Sequence, residues 1–190
     1  MKARMGLPNK ITLSRLALGP LFLIVYLTDW PGAQLAGLII AILIEVTDIA
    51  DGWMARARGE TSEVGKVLDP MADAIARISC FIGFLVYGYA KAWMIIVLIY
   101  RDVGVAYVRT LAALQGVAVG ARRSGKWKGV IQGTATITIL ALDLLNIPWL
   151  QSHFLKIVFF LMLLVTLYTG FTLVDYIWGN RKILRELHWR

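Results

Sequence analysis

The fold this sequence predicts is an all-α integral membrane protein, with six transmembrane helices preceded by an amphipathic N-terminal juxtamembrane helix. Three observations predict it. Hydrophobic side chains make up 58% of the 190 residues, above the roughly 45–50% of ordinary globular chains. Apolar runs of about 20 residues, long enough to cross a bilayer as helix, recur along the chain. Basic residues gather in alternate connections, as they do in loops held against an anionic cytoplasmic leaflet.

The elements follow in order. Residues 7–16 predict an amphipathic helix lying along the interface, running into a first span at 14–29 that Pro20 is placed to kink or break. The start is basic and then apolar, as in a signal peptide. It lacks a small-x-small cleavage site, however, and Arg15 interrupts the apolar stretch, so the segment is expected to be retained. Five further spans are predicted at 34–56, 66–90, 92–114, 128–147 and 153–177, with turn signals in "DWPGAQ" at 29–34 and "NIPW" at 146–149. Trp30, Trp93 and Trp149 fall near span ends and read as interfacial anchors. No repeat or linker divides the chain, which predicts one domain over 1–190. The single cysteine, Cys80, excludes an intrachain disulfide and reads as a small buried hydrophobe.

Charge predicts the orientation. Lys2, Arg4, Lys10 and Arg15 lie at the start, Arg56, Arg58 and Lys66 around the second-to-third connection, and Arg122, Arg123, Lys126 and Lys128 around the fourth-to-fifth. Arg181, Lys182, Arg185 and Arg190 add a basic tail, whereas the other side offers only Lys91 and Lys156. Both termini are therefore expected on the cytoplasmic side. The formal net charge of +8 comes without an aromatic–basic stacking surface or a nucleic-acid motif, so no nucleic-acid partner is expected.

Against this apolar background stands "DIADGWMARARGETSEVGKVLDPMAD" at 48–73. Helical spacings of three and four share a face. Asp48, Asp51, Gly52 and Ala55 thus share one face of the second span's end, and Asp69 and Asp73 one face of the third, with Gly65 a turn earlier. If the two ends pack together, four carboxylates converge, and like charges at that density require cations. Oxygen ligands without His or Cys select Mg²⁺, Mn²⁺ or Ca²⁺ over zinc. Gly52 and Gly65 leave room for a bulky group beside the acids, and Arg56 suits a phosphate. Carboxylate-held metal, arginine and open space together suit chemistry on a diphosphate.

Other readings explain less. Acids lining an ion path are spaced through the bilayer depth, whereas these cluster near one interface. An EF-hand requires ligands at alternate loop positions. Glu45 and the Arg101–Asp102 pair read as interhelical polar links, and Asp143 as another whose partner the sequence does not name. His153 and His188 lie near interfaces and are not expected to bind metal.

Residues 48–73 match the pattern D-x2-D-G-x2-A-R-x8-G-x3-D-x3-D at every fixed position, and this resembles the CDP-alcohol phosphotransferase (phosphatidyltransferase) family of membrane enzymes. The resemblance implies transfer of a substituted phosphate from a CDP-linked donor to an alcohol, with release of CMP. It implies that Asp48, Asp51, Asp69 and Asp73 hold Mg²⁺ or Mn²⁺, two ions, and that Asp73 is also the general base. It further implies that Asp48, Asp51, Gly52, Ala55, Arg56 and Gly65 form the CDP site.

"LPNKITLSR" at 7–15 and "YVRTLAALQGV" with "SGKWKGVIQG" downstream are similar to the bacterial phosphatidylglycerophosphate synthases, which join CDP-diacylglycerol to glycerol 3-phosphate. An acceptor with its own phosphate needs a cationic pocket, for which Arg109, Arg122, Arg123, Lys126, Lys128 and Arg77 are the candidates. Arg77 reads equally as a partner for an aspartate. That subfamily commonly has lysine where Ala74 stands and "RE" where 101–102 reads "RD", which leaves inositol 1-phosphate, inositol and serine as alternative acceptors. The charge pattern also puts the 48–73 stretch, and with it the active site, on the cytoplasmic side of the inner (cytoplasmic) membrane, and the resemblance implies a homodimer as the family's common assembly. Outside the family, an intramembrane prenyltransferase also holds Mg²⁺-diphosphate on aspartates, but lacks the D-G-x2-A-R run. A cation transporter gives Gly52 and Arg56 no role.

Overall fold

The structure is a computed structural model. It describes residues 7–58, 63–114, 116–117, 120, 122–145 and 147–181. Within the helices, the side chains of 7–10, 52–53, 55–58, 63–67 and 148–150 lie outside the described residues.

Six helices follow one another: α1 (Leu7–Leu27), α2 (Ala33–Arg58), α3 (Glu63–Val86), α4 (Ala92–Leu114), α5 (Arg123–Leu144) and α6 (Pro148–Gly179). Each contains one predicted span, with ends shifted by a few residues. The largest difference is at the start, where the expected lead-in and first span form one continuous helix rather than two elements. Pro20 does not break it. Its ring lies on the exposed side of α1, and a proline in an apolar helix is tolerated where neighbouring packing holds the backbone in place.

Among the described residues, two helices, over Ala33–Asp51 and Gln151–Gly179, are long and apolar enough to cross a membrane, and α1 carries a shorter apolar stretch over Ile11–Leu27. Large apolar side chains face outward along several helices, among them Ile24, Ile39, Ile49, Tyr100, Phe160 and Leu164. An outer surface of this kind suits a hydrocarbon solvent rather than water.

The helices form two layers. α1 packs on α2 and α3, α6 packs on α4 and α5, and α5 joins the layers by lying against α2 and α3. Without a hydrophobic driving force between apolar helices in lipid, close backbone approach through small residues becomes the main source of packing energy. α1 uses it. Thr12, Arg15, Gly19, Phe22 and Tyr26 are all buried, and their 3-4-3-4 spacing makes them one stripe.

Glycines on the facing helices receive this stripe. Phe22 and Tyr26 lie against Gly37 on α2 and Gly83 on α3, and Gly19 lies against the backbone of Ala76. Phe22 stacks on Tyr26 with ring centroids 5.0 Å apart. Cys80 is buried in the same core, among Phe81, Phe84 and Ile44.

A Cβ at Gly19 would lie 2.9 Å from the Ala76 Cα, and backbone cannot move aside cheaply. Gly19→Ala should destabilise the protein by about 1–3 kcal/mol in spite of alanine's better helix propensity. Gly104→Ala, whose new methyl meets only the Leu173 side chain at 3.4 Å, should be neutral or stabilising by up to ~1 kcal/mol. Thermal unfolding in one detergent checks both.

Candidate active site

The site lies where α1, α2 and α3 come together, with α5 behind it. Carboxylate oxygens of Asp48, Asp51 and Asp69 all fall within 4.8 Å of one another, so three of the four carboxylates expected to converge do so. The three differ in depth: the Asp51 side chain is 5% exposed, Asp48 35% and Asp69 49%. The cluster is therefore closed at Asp51 and open at Asp69, which leaves one side for a ligand to enter. Asp73, one turn beyond Asp69, is held separately by Arg77.

Two guanidiniums neutralise this end. Arg15 is fully buried and donates to Asp48, Asp51 and Asp69. Thr12, one turn before it, donates to Asp51 at 3.2 Å. In the sequence Arg15 stands out only as an interruption of an apolar stretch and a positive charge. One signal was present, since an arginine inside an apolar helix is by default a functional residue with an acidic partner to be found. Its partners are 33, 36 and 54 residues away, beyond any local spacing rule.

Arg77 is 5% exposed and is the second hub. Its Nε donates to Asp73 at 2.7 Å. Its two terminal nitrogens donate to Glu45 at 2.9 and 3.3 Å. Nη1 also reaches the Gly129 carbonyl at 3.0 Å, and Nη2 lies 3.6 Å from Asp48. Of the two expectations for Arg77, these contacts match the pairing with an aspartate. Glu45 is the interhelical link expected of it, and Gly133 on α5 makes room: a Cβ there would collide with the Glu45 carboxylate.

Five carboxylates, Glu45, Asp48, Asp51, Asp69 and Asp73, thus face two guanidiniums among the described residues. Three formal negative charges are left over. A donor set of hard oxygens with excess negative charge fits a divalent cation of the Mg²⁺ or Mn²⁺ type. His153, bonded to its neighbour Ser152, is not part of this cluster.

The candidate acceptor residues have mixed surroundings. Lys128 is buried and donates to Asp102 at 2.7 and 3.1 Å, while Asp102 also takes Arg101 at 2.8 Å. Arg101 reaches across to Thr172 on α6 at 3.1 Å, as an interhelical link should. Arg122 pairs with Asp175 at 2.9 Å. Arg109 lies over the Tyr176 ring at 5.8 Å. Arg123 and Lys126 are exposed. Gly52, Ala55 and Arg56 lie on α2 and Gly65 on α3, but the surroundings of these four lie outside the described residues. So does His188. Asp143, the acid without a named partner, accepts from Tyr26 at 3.0 Å and Tyr89 at 2.6 Å.

The family model described as CDP-alcohol phosphatidyltransferase matches residues 5–174, nearly the whole chain and every aspartate of the cluster. The chain belongs to this family. Among the relatives of this family member is a CDP-diacylglycerol–glycerol-3-phosphate 3-phosphatidyltransferase of Bacillus subtilis, 39% identical over 76% of this chain and 79% of that protein. A protein of the same name from Rickettsia bellii is 28% identical over 90% of this chain and 95% of its own length. The fold is similar to that of the Mycobacterium tuberculosis phosphatidylinositol phosphate synthase, solved in apo form. Its TM-score is 0.56 at 21% identity, covering 90% of this chain and 88% of that one. A second structure of that protein carries CDP-DAG, with a TM-score of 0.54 at 22% identity over 90% of this chain and 86% of that one.

Removing one partner from a buried charge pair leaves the other uncompensated, at a cost of about 3–5 kcal/mol. Arg77→Leu should therefore lower stability by that amount. Arg77→Leu combined with Glu45→Leu should recover part of it, because fewer unpaired carboxylates remain. Chemical unfolding of the two variants in the same detergent measures the difference.

Proposed function

We propose that this protein transfers the phosphatidyl group of CDP-diacylglycerol to glycerol 3-phosphate, forming phosphatidylglycerophosphate and releasing CMP. The observation that carries the reading is the convergence of Asp48, Asp51 and Asp69 at the open end of a membrane-type helix bundle whose family is CDP-alcohol phosphatidyltransferase. The names of the relatives support the donor and the acceptor. The CDP-DAG complex of the fold neighbour agrees with the same donor class.

In this reading Asp48, Asp51, Asp69 and Asp73 are the ligands of two Mg²⁺ or Mn²⁺ ions. Such ions, when bound, supply positive charge to the diphosphate and to the departing CMP. The chain's own residues do the rest. Asp73 takes the proton of the acceptor hydroxyl as its oxygen bonds to the lipid-side phosphorus. The bond from that phosphorus to the oxygen bridging it to CMP breaks, and CMP leaves with that oxygen. Arg77, fixed by Glu45 and the Gly129 carbonyl, sets the direction of the Asp73 carboxylate.

Gly52, Ala55, Arg56 and Gly65, with Asp48 and Asp51, form the CDP site. Arg109, Arg122, Arg123, Lys126 and Lys128 form a basic approach for the acceptor phosphate. Support for that approach comes from the Arg77–Gly129 bond, which ties the start of α5 to the aspartate site.

The chain forms one domain whose six helices all cross the inner membrane, with the termini and the site on the cytoplasmic side. This arrangement leaves the donor's acyl chains in lipid and its nucleotide in water. A homodimer is carried over from the family resemblance alone.

Purified protein in detergent with Mg²⁺, CDP-diacylglycerol and glycerol 3-phosphate should release CMP. EDTA should abolish release, and Asp73→Asn should lower it by about 10²–10⁴-fold, the usual worth of a general base. Offering glycerol 3-phosphate, inositol 1-phosphate, inositol and serine in parallel, and identifying the product lipid, decides the acceptor. Product formed with an acceptor other than glycerol 3-phosphate would replace the acceptor and keep the reaction. No CMP with any acceptor from folded, metal-supplied protein would overturn the reaction itself.

A further inference from the structure

We propose that Arg15 is a built-in counter-cation of the aspartate cluster, and that a divalent metal must displace its guanidinium to load the site. The inference deepens the metal-site reading above and rests on it. Three observations carry it.

The residues whose oxygens converge within 4.8 Å are Asp48, Asp51 and Asp69, and the same three accept from Arg15. Its Nη2 serves Asp51 and Asp69 together, and its Nη1 serves Asp48. The guanidinium is therefore held by the same three carboxylates that would hold an ion.

The second observation is an unpartnered donor. Arg15 is fully buried, and its Nε has no hydrogen-bond partner among the described residues. A buried donor left unpaired is costly, and an arginine kept only for structure would be expected to spend all its donors. This one is aimed at the three carboxylates at the expense of its own Nε.

The third is anchorage. Gly19 against Ala76, and Phe22 and Tyr26 against Gly37 and Gly83, hold the helix that carries Arg15 tightly to α2 and α3. With the helix held in place, displacement in this proposal moves the guanidinium about its own side chain and not the backbone.

Displacement follows from charge. One guanidinium brings a single positive charge to three carboxylates, and a divalent ion brings two with shorter oxygen contacts. An ion entering between these oxygens also meets repulsion from Arg15 until the guanidinium gives way. Arg15 thereby keeps the site from collapsing or repelling itself apart before metal arrives, and it lowers the metal affinity by the free energy of its own contacts. Loading becomes an exchange of one cation for another.

Mn²⁺ binding to protein in nanodiscs, without nucleotide or acceptor, tests this through the electron paramagnetic resonance signal of free Mn²⁺. Wild type, Arg15→Gln and Arg15→Lys are compared, each with thermal unfolding in the presence and absence of Mn²⁺. Arg15→Gln should bind Mn²⁺ at least tenfold more tightly than wild type. It should melt lower without metal and show a larger Mn²⁺-induced rise. Arg15→Lys keeps the charge but loses the planar fork, and its affinity should lie between the two.

Folded Arg15→Gln with wild-type or weaker Mn²⁺ affinity overturns the proposal, leaving Arg15 a structural ion-pair partner. If Arg15→Gln does not fold, Arg15→Lys decides by the same rule: tighter binding than wild type supports displacement, and equal or weaker binding overturns it. If neither wild type nor variants bind Mn²⁺, the metal-site reading falls and takes this proposal with it, a result distinct from metal binding that ignores Arg15.

Discussion

The need to neutralise five carboxylates gathered at one end of an apolar bundle governs the rest of the structure. An unpaired charge removed from water costs several kcal/mol, so the acids on α2 and α3 can be close only if cations come to them. Arg15 comes from α1 and Arg77 from α3. Each guanidinium spans several acids at once, which suits its planar fork of donors better than a lysine's point charge. The surplus of negative charge that persists is the property a metal-binding site requires.

The packing can be read as service to that constraint. Arg15 reaches its acids only because α1 lies close on α2 and α3, and that closeness depends on Gly19, Gly37 and Gly83. Behind the site, Gly133 gives Glu45 its space, and the Gly129 carbonyl holds Arg77. The second layer has its own latches. Lys128 and Arg101 share Asp102, and Arg122 and Ser124 share Asp175. Tyr26 lies eleven residues along α1 from Arg15, about 16 Å at helical rise, so its bond to Asp143 closes the opposite end of the bundle. One end is thus tied by hydroxyl-to-carboxylate bonds, and the other by charges still in excess.

Much of this was legible from periodicity. All six helices were, because each needs a long apolar run and such runs are countable. The aspartates were legible as well: spacings of three and four place residues on one face wherever a helix forms. Asp73 and Arg77 obey the same rule and are paired. What escaped has one physical cause. Arg15 with Asp48, Asp51 and Asp69, Glu45 with Arg77, and Lys128 with Asp102 are all contacts between different helices. Periodicity gives the face a residue is on, but not the helix that face meets. The break expected near Pro20 failed for a related reason, since a proline ring pointing outward disturbs none of the packing that holds α1.

The central claim is that the aspartates of α2 and α3 hold divalent cations at the open end of the bundle. Crystals grown with Mn²⁺ and measured for anomalous scattering test it most directly, because the signal locates the ion without reference to activity. The account predicts anomalous peaks among the carboxylates of Asp48, Asp51, Asp69 and Asp73, with oxygen contacts of about 2.0–2.6 Å. Well-ordered density for these four side chains with no anomalous peak among them, at Mn²⁺ concentrations that saturate binding in solution, would contradict it.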